Sequence, residues 1–380
     1  MSYSLLHELE TEIAGLEQEG LARRLELRTG LDFSSNDYLG FANDPEFALR
    51  VRQAIERLGS RLGSAASRLL GGTTELHLEL EAHLARWKGH DAALLFPSGY
   101  QANVGLLSAL IRPEDRVLSD AKNHASIIDG LRLARPRQKI VYPHLDLATI
   151  EFELRHNYPG GRTYLITEAL FSMDGDLAPL KLYAELAERY GAHLIVDEAH
   201  AAGLYGARGS GWVEHLGLER RVLASTTTMG KSLALAGAFV SGPRTLINYL
   251  VQRARPLMYS TAWPPLFLVA LETALHRLLA EPNRGIHAIE LAVQLRRRLR
   301  GAGLDVRGDQ SPIVPWVIGD EREALRVAGA VQAAGFDVRA VRPPTVPPKE
   351  SRIRLSVHAD HTEPQIAALA QAVLAAHACR

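Results

Sequence analysis

The chain has 380 residues, 47% hydrophobic and 23% charged, with 43 basic and 43 acidic side chains. That length suits two ordinary globular domains, and zero formal net charge argues against nucleic acid or a membrane surface as the main partner. The one cysteine, Cys379, excludes an intrachain disulfide and a cysteine-based metal cluster, and no apolar run approaches a membrane span.

Residues 1–25 read as an acidic amphipathic arm, with Leu5, Leu6, Ile13, Leu16 and Leu21 near helical spacing and Arg23 and Arg24 closing it. This arm lacks the charged-then-apolar build of an export signal, so a reducing, cytoplasmic setting is expected. The polar run Asp32–Gly40 predicts an ordered loop, and 46–58 a helix. Residues 59–76, rich in Gly, Ser and Thr, fit either a flexible loop or a close backbone approach to a ligand.

From His77 to Gly242 helices alternate with short apolar strands. Strands are expected at Ala92–Phe96, Arg116–Ser119, Lys139–Tyr142, Thr163–Thr167, His193–Val196, Val222–Ala224 and Ala238–Val240. Helices are expected at 77–88, Gln101–Leu110 and Leu182–Tyr190. This alternation predicts an α/β fold with a mostly parallel seven-stranded sheet, helices on both faces, and a ligand beyond the carboxyl ends of the strands. After Gly242 long helical stretches lead to strand-like Ile313–Ile318, Asp337–Val341 and Arg352–Val357, with a last helix from near Thr362. The division expected is an arm (1–45), a large ligand-binding domain (46–246) and a smaller α+β C-terminal domain (247–380).

Polar residues of complementary chemistry follow five of the strands. Pro97-Ser-Gly-Tyr-Gln101 opens a helix, whose N-terminus suits a phosphate or is simply capped. His124 fits a structural loop histidine or a ring stacked on a flat ligand. Ser172 lies in a loop whose Asp174-Gly-Asp176 lacks the further oxygens of a calcium site. Asp197, at a buried strand end, needs a partner to stay ionised. A protonated pyridine nitrogen at ~4 Å and effective ε ~20 would gain about 4 kcal/mol from it, roughly three pKa units. Asp197 and His200 also have a metal-ligand spacing, which keeps a zinc hydrolase as a rival. Lys231, in Thr228-Met-Gly-Lys-Ser232, is placed to be held and desolvated as a Schiff-base nucleophile. Phosphate donors, a stacking ring, a carboxylate for a ring nitrogen and such a lysine share one economical ligand, pyridoxal 5′-phosphate; no resident metal is expected.

DEAH at 197–200, followed by TMGKS at 228–232, resembles the fold-type I pyridoxal-phosphate enzymes, with their aminotransferase-like fold, and in particular the α-oxoamine synthases. The resemblance extends through FSSNDYLG (33–40), PSGYQAN (97–103), NHASIIDG (123–130), ITEALFSMDGDLAPL (166–180), YSTAWPP (259–265), RPPTVP (342–347) and RIRLS (352–356). These enzymes join an amino acid to an acyl thioester with loss of carbon dioxide. GKSLALAGAFVSG, YSTAWPP and RPPTVP resemble most closely the branch serving biotin synthesis, which uses L-alanine and a pimeloyl group on coenzyme A or acyl carrier protein.

The resemblance implies Lys231 as the Schiff-base lysine and Asp197 as the ring-nitrogen partner. It implies His200 and Ser172 on the ring hydroxyl, and His124 stacked on the ring and polarising the acyl oxygen. Gly99, Tyr100 and Thr228 would reach the phosphate, with Ser260 or Thr261 contributed by the second subunit of a homodimer. Arg354, aided by Asn36, would hold the amino-acid carboxylate. Arg23, with Arg24 as its alternative, would lie with Arg342 and Thr345 near the acyl substrate. Other α-oxoamine synthases, such as glycine C-acetyltransferases, and an inactive scaffold homologue are the alternatives.

Overall fold

In the computed structural model, which describes residues 3–378 other than 26, 28 and 157, seven strands form one sheet. Cys379 lies outside the described residues. From edge to edge the sheet runs Ala92–Phe96, Ala238–Gly242, Ala224–Thr228, His193–Asp197, Thr163–Glu168, Arg116–Asp120 and Gln138–Tyr142. Ala238–Gly242 is antiparallel to both neighbours, and every other pairing is parallel.

Strand alternation sends side chains to two apolar layers. On one face Leu94, Phe96 and Val240 pack with Leu106 and Leu107 of helix Gly99–Leu110, Ile127 of helix Ala125–Ala134, and Leu250 of helix Arg244–Arg253. On the other, Leu95 and Phe239 pack with Leu80 and Leu84 of helix Glu75–Lys88 and Leu271 and Leu275 of helix Pro265–Ala280. The helices cover both faces because each crossover between parallel strands needs one.

One strand lies further along than its apolar residues suggest. Ala224–Thr228 replaces the expected Val222–Ala224, and its Thr226 and Thr227 are fully buried. β-Branched threonines fit a pleated interior as well as valines do. Lys231 therefore stands three residues beyond the strand rather than seven.

By contacts the described chain forms two compact units. The larger comprises Asn36–Phe171 and Leu177–His287 and holds the seven-stranded sheet. The smaller gathers the chain before Asn36, Ser172–Asp176 and the chain from Ala288 onward. Its antiparallel sheet has the order Ala340–Val341, Ser351–Ser356, Ile313–Gly319. Trp316, Val327, Leu355 and Leu369 are buried together there, drawing in helices Glu321–Ala333 and Glu363–Ala378. The expected strand Asp337–Val341 is two pieces, because Phe336–Asp337 pairs with Leu31–Asp32 whereas Ala340–Val341 pairs with the 351–356 strand. No described helix is long and apolar enough to cross a membrane.

Candidate active site

Asp197 ends its strand nearly buried, and both carboxylate oxygens accept hydrogen bonds: Oδ1 from the Ala199 amide at 2.8 Å, Oδ2 from the Asn103 side-chain amide at 2.6 Å. Asn103 Nδ2 also donates to Ser126 Oγ at 2.9 Å, and Ser126 Oγ lies 2.8 Å from His124 Nδ1. Because Ser126 accepts from Asn103, its own proton is available to His124 Nδ1, which also accepts from the Ser126 amide at 3.2 Å. That network assigns the imidazole proton to Nε2.

His124 also caps helix Ala125–Ala134, and its ring meets Tyr100 edge-on at 6.4 Å. Its side chain is solvent-exposed, yet the atoms packed around it push its pKa below the ordinary histidine value. Asp197 pulls that value back up, and the positive charge of Lys231 adds to the lowering. The imidazole, amine and carboxylate thus share one electrostatic neighbourhood.

Lys231 is half-buried in the loop joining the two antiparallel strands. Met229 N–H donates to the Gly237 carbonyl at 2.8 Å, and Leu235 N–H to the Met229 carbonyl at 2.9 Å. The loop closes further through Ala234 N–H on the Lys231 carbonyl, with Ala234 at φ 55°. Thr228, at the strand end, lies against Gly99: a Cβ built on that glycine would stand 2.4 Å from Thr228 Cγ2. Gly99 opens its helix, with Ser98 Oγ accepting from the Gln101 amide at 3.1 Å. Tyr100 follows with its hydroxyl donated to Asp129.

His200 Nδ1 is 2.7 Å from the Tyr38 hydroxyl, which reaches Asn36 Oδ1 at 3.2 Å. Asn36 and His200 are thereby joined through Tyr38. Among the described residues, the His, Asp and Glu groupings close enough to hold a metal are His83–Glu272–His276 and His358–Asp360–His361; neither contains Asp197 or His200.

Glu168 ends the strand beside Asp197 and is its register partner. Burial, then the negative charge of Asp197, pushes its pKa well above the carboxylate range, against the pull of Lys231. Glu168 is accordingly biased toward its protonated form.

Residues 59–76 form an ordered segment: Arg68 grips Glu81 through two hydrogen bonds of 2.8 and 3.1 Å. Ser67 pairs with Thr261 in an isolated bridge, and Ser260 and Thr261 line a small cleft with Phe96 and Pro97.

The remaining expected residues belong to the smaller unit. Arg354 Nε donates to the Ser172 carbonyl at 2.6 Å and Nη1 to Ser356 Oγ at 3.0 Å. Arg352, two residues earlier, spends its guanidinium on Asp174 and Glu350, each at 2.8 Å. A cleft of about 680 Å³ gathers Arg23, Arg24, Arg339, Arg342 and Thr345. Arg342 donates to the Gly20 and Ala22 carbonyls, and Arg23 to the Pro343 carbonyl. Burial and then the charge of Arg23 lower the Arg342 pKa. Arg24 lies in the same cleft but is paired with Glu17 at 2.9 Å.

Sequence reasoning missed Asn103, Ser126, Tyr38 and Glu168. Glu168 carried a signal, as an acid at the end of an apolar strand parallel to the one ending in Asp197. Asn103 carried a weaker one, as a buried-face polar residue in the first turn and a half of a mostly apolar helix.

Residues 28–373 match the family described as aminotransferase class I and II. The chain is 43% identical over 379 residues to the 8-amino-7-oxononanoate synthase of Anaeromyxobacter dehalogenans (strain 2CP-1), covering 96% of this chain and 94% of that protein. Its structure is similar to serine palmitoyltransferase from S. paucimobilis with PLP and myriocin bound, at TM-score 0.90 and 27% identity over 99% and 98% of the two chains. It is also similar to the 8-amino-7-oxononanoate synthase of Francisella tularensis, at TM-score 0.76 and 26% identity over 90% and 96%.

Proposed function

Because the chain belongs to the class I and II aminotransferase family and, within it, to the 8-amino-7-oxononanoate synthases, we propose that it condenses L-alanine with a pimeloyl thioester. The products are 8-amino-7-oxononanoate for biotin synthesis, carbon dioxide and the free thiol of coenzyme A or acyl carrier protein. The observation that carries this reading is Asp197, a buried carboxylate held as a pure acceptor beside His124 and within the field of Lys231.

The residues present fit pyridoxal 5′-phosphate. Gly99, at a helix N-terminus, packs so closely on Thr228 that a Cβ would clash with the threonine methyl, which brings the helix amides and the Thr228 hydroxyl to one place, and such a terminus favours a phosphate. When bound, the cofactor supplies an electron sink for the amino-acid Cα. Lys231 Nζ holds it and serves as the base at Cα. Asp197 keeps the ring nitrogen protonated, and Asn103 fixes the Asp197 carboxylate in position. His124 covers the ring and presents Nε2–H to the acyl oxygen. Gly99, Tyr100 and Thr228 receive the phosphate, and His200 and Ser172 the ring hydroxyl. Arg354, with Asn36, binds the alanine carboxylate through its planar fork. Arg23, Arg342 and Thr345 bind the acyl substrate.

A homodimer, with Ser260 and Thr261 reaching the partner's cofactor, and a cytoplasmic setting belong to the same proposal. Gel filtration with light scattering tests the first. The activity is tested by the near-visible absorption of the cofactor-loaded protein, titrated with L-alanine, glycine and L-serine, and by product formation from pimeloyl thioesters. A response to L-alanine alone supports the reading; a response to serine or glycine instead moves the substrate to another member of the family. Lys231→Ala is expected to eliminate turnover, and retained turnover refutes its role.

A further inference from the structure

Away from these residues, two packed helices bring three metal-type ligands together. His83 lies on helix Glu75–Lys88, and Glu272 and His276 lie on helix Pro265–Ala280. Glu272 and His276 are four residues apart, so one helical face presents both. One ligand atom from each of the three lies within 4.8 Å of the others, and the two imidazole rings are 6.2 Å apart.

The contact between His83 and Glu272 is one that a proton or a cation would stabilise. His83 Nδ1 stands 2.7 Å from Glu272 Oε1, yet this buried nitrogen makes no aligned hydrogen bond. Two lone-pair atoms that close repel unless a proton or a cation lies between them. The His83 and Glu272 side chains are only 32% and 25% exposed, so water screens the pair incompletely. His276, on the solvent side, supplies a second imidazole.

We propose that His83, Glu272 and His276 bind a divalent transition-metal ion of zinc type. Two imidazoles and one carboxylate are a zinc donor set, and three protein ligands leave a fourth position for water. His83 and His276 both line a cleft of about 320 Å³, with Trp87 and Leu275, through which an ion and its water can enter. Arg208, which also lines it, is paired with Glu214 and Glu219. A tetrahedral ion at about 2.0–2.1 Å from its ligands needs donor atoms roughly 3.4 Å apart. Rotation of the exposed His276 ring brings its nitrogen in, and the 2.7 Å His83–Glu272 contact opens by roughly 0.7 Å to admit the ion.

The bound ion clamps the helix that leads into strand Ala92–Phe96 to the helix that follows Ser260 and Thr261. It takes no part in the condensation. Glu272 and His276 are neighbours on one helix, whereas their third partner, His83, lies almost two hundred positions earlier in the chain.

The test uses the full-length, cofactor-loaded protein, freed of metal with a chelator. Zinc binding is measured by competition with a chromophoric chelator, and coordination from the visible spectrum after adding cobalt(II). One equivalent of zinc and a tetrahedral cobalt spectrum are expected, with the thermal midpoint raised by zinc. His276→Ala, a surface change, should weaken zinc binding by at least about tenfold, the loss that follows removal even of an outer-shell partner. Glu272→Gln should do the same, while turnover without added metal stays unchanged in both. Zinc binding that is absent, or equally tight in the wild type and both variants, overturns the proposal. It leaves His83 and Glu272 as an ion pair bridged by a proton.

Discussion

Lys88→Met removes a charge from the interior while keeping most of the side-chain volume. Lys88 is 1% exposed and Glu198, beside Asp197 in the chain, 0%. Lys88 Nζ donates to Glu198 Oε2 and, at 2.5 Å, to the Ser210 carbonyl. Without the lysine, the Glu198 carboxylate keeps one hydrogen bond on its other oxygen, from the Val213 amide at 2.9 Å. Removing one member of a buried pair costs about 3–5 kcal/mol, because the other charge is stranded. That is a large part of the roughly 5–15 kcal/mol typical of a folded protein. Lys88→Met/Glu198→Gln removes both charges and should recover all but about 1–2 kcal/mol, a coupling of at least about 2 kcal/mol. Urea unfolding followed by circular dichroism, at fixed pyridoxal phosphate because ligand shifts apparent stability, measures each corner of the cycle. A single-variant loss under about 1 kcal/mol, or a double variant no more stable than the single, would refute the reasoning.

Asn103→Ala takes the amide from both Asp197 and Ser126; a hydrogen bond to a charged acceptor is worth about 1.5–3 kcal/mol, so kcat/KM should fall roughly 10- to 150-fold with circular dichroism unchanged. Normal kinetics would show that Asp197 needs no such support. Gly99→Ala places a methyl 2.4 Å from Thr228 Cγ2, so pyridoxal phosphate should bind more weakly in a fluorescence titration, and Thr228→Ser, which deletes that methyl and keeps the hydroxyl, should restore part of the affinity. Equal affinity for wild type and Gly99→Ala would remove the glycine from the phosphate site. His90, pushed down to about 4 chiefly by burial and further by Lys88, stays neutral in the native state while the unfolded chain takes a proton below about pH 6.5. Its contribution is therefore present above that pH and lost as pH falls toward 4. His90→Gln should flatten the stability–pH slope near pH 5 by up to about 1.4 kcal/mol per pH unit, and an unchanged slope contradicts the assignment.

The fold was legible where one rule acted alone. Short apolar runs separated by helices can bury two faces only as a parallel sheet, and Ala92–Phe96 and Thr163–Glu168 stand close to where that rule puts them. It faltered at Ala224–Thr228, where threonines whose pattern looks polar fill buried strand positions because β-branching, not polarity, decided the fit. The residues expected at the strand ends followed from the same geometry, since Asp197 and Lys231 each stand at or just beyond a carboxyl end. What lies behind them was not legible. Asn103 reaches Asp197 from a helix ninety-four positions earlier, and Tyr38 reaches His200 across 162 positions. Nothing in local periodicity records such contacts, because a hydrogen bond between elements depends on crossover geometry rather than on neighbours in sequence. Glu168 shows the limit most sharply. Its position was visible in the chain, but its raised pKa depends on burial and on the negative charge of Asp197, and these act on it only once the two strands have paired.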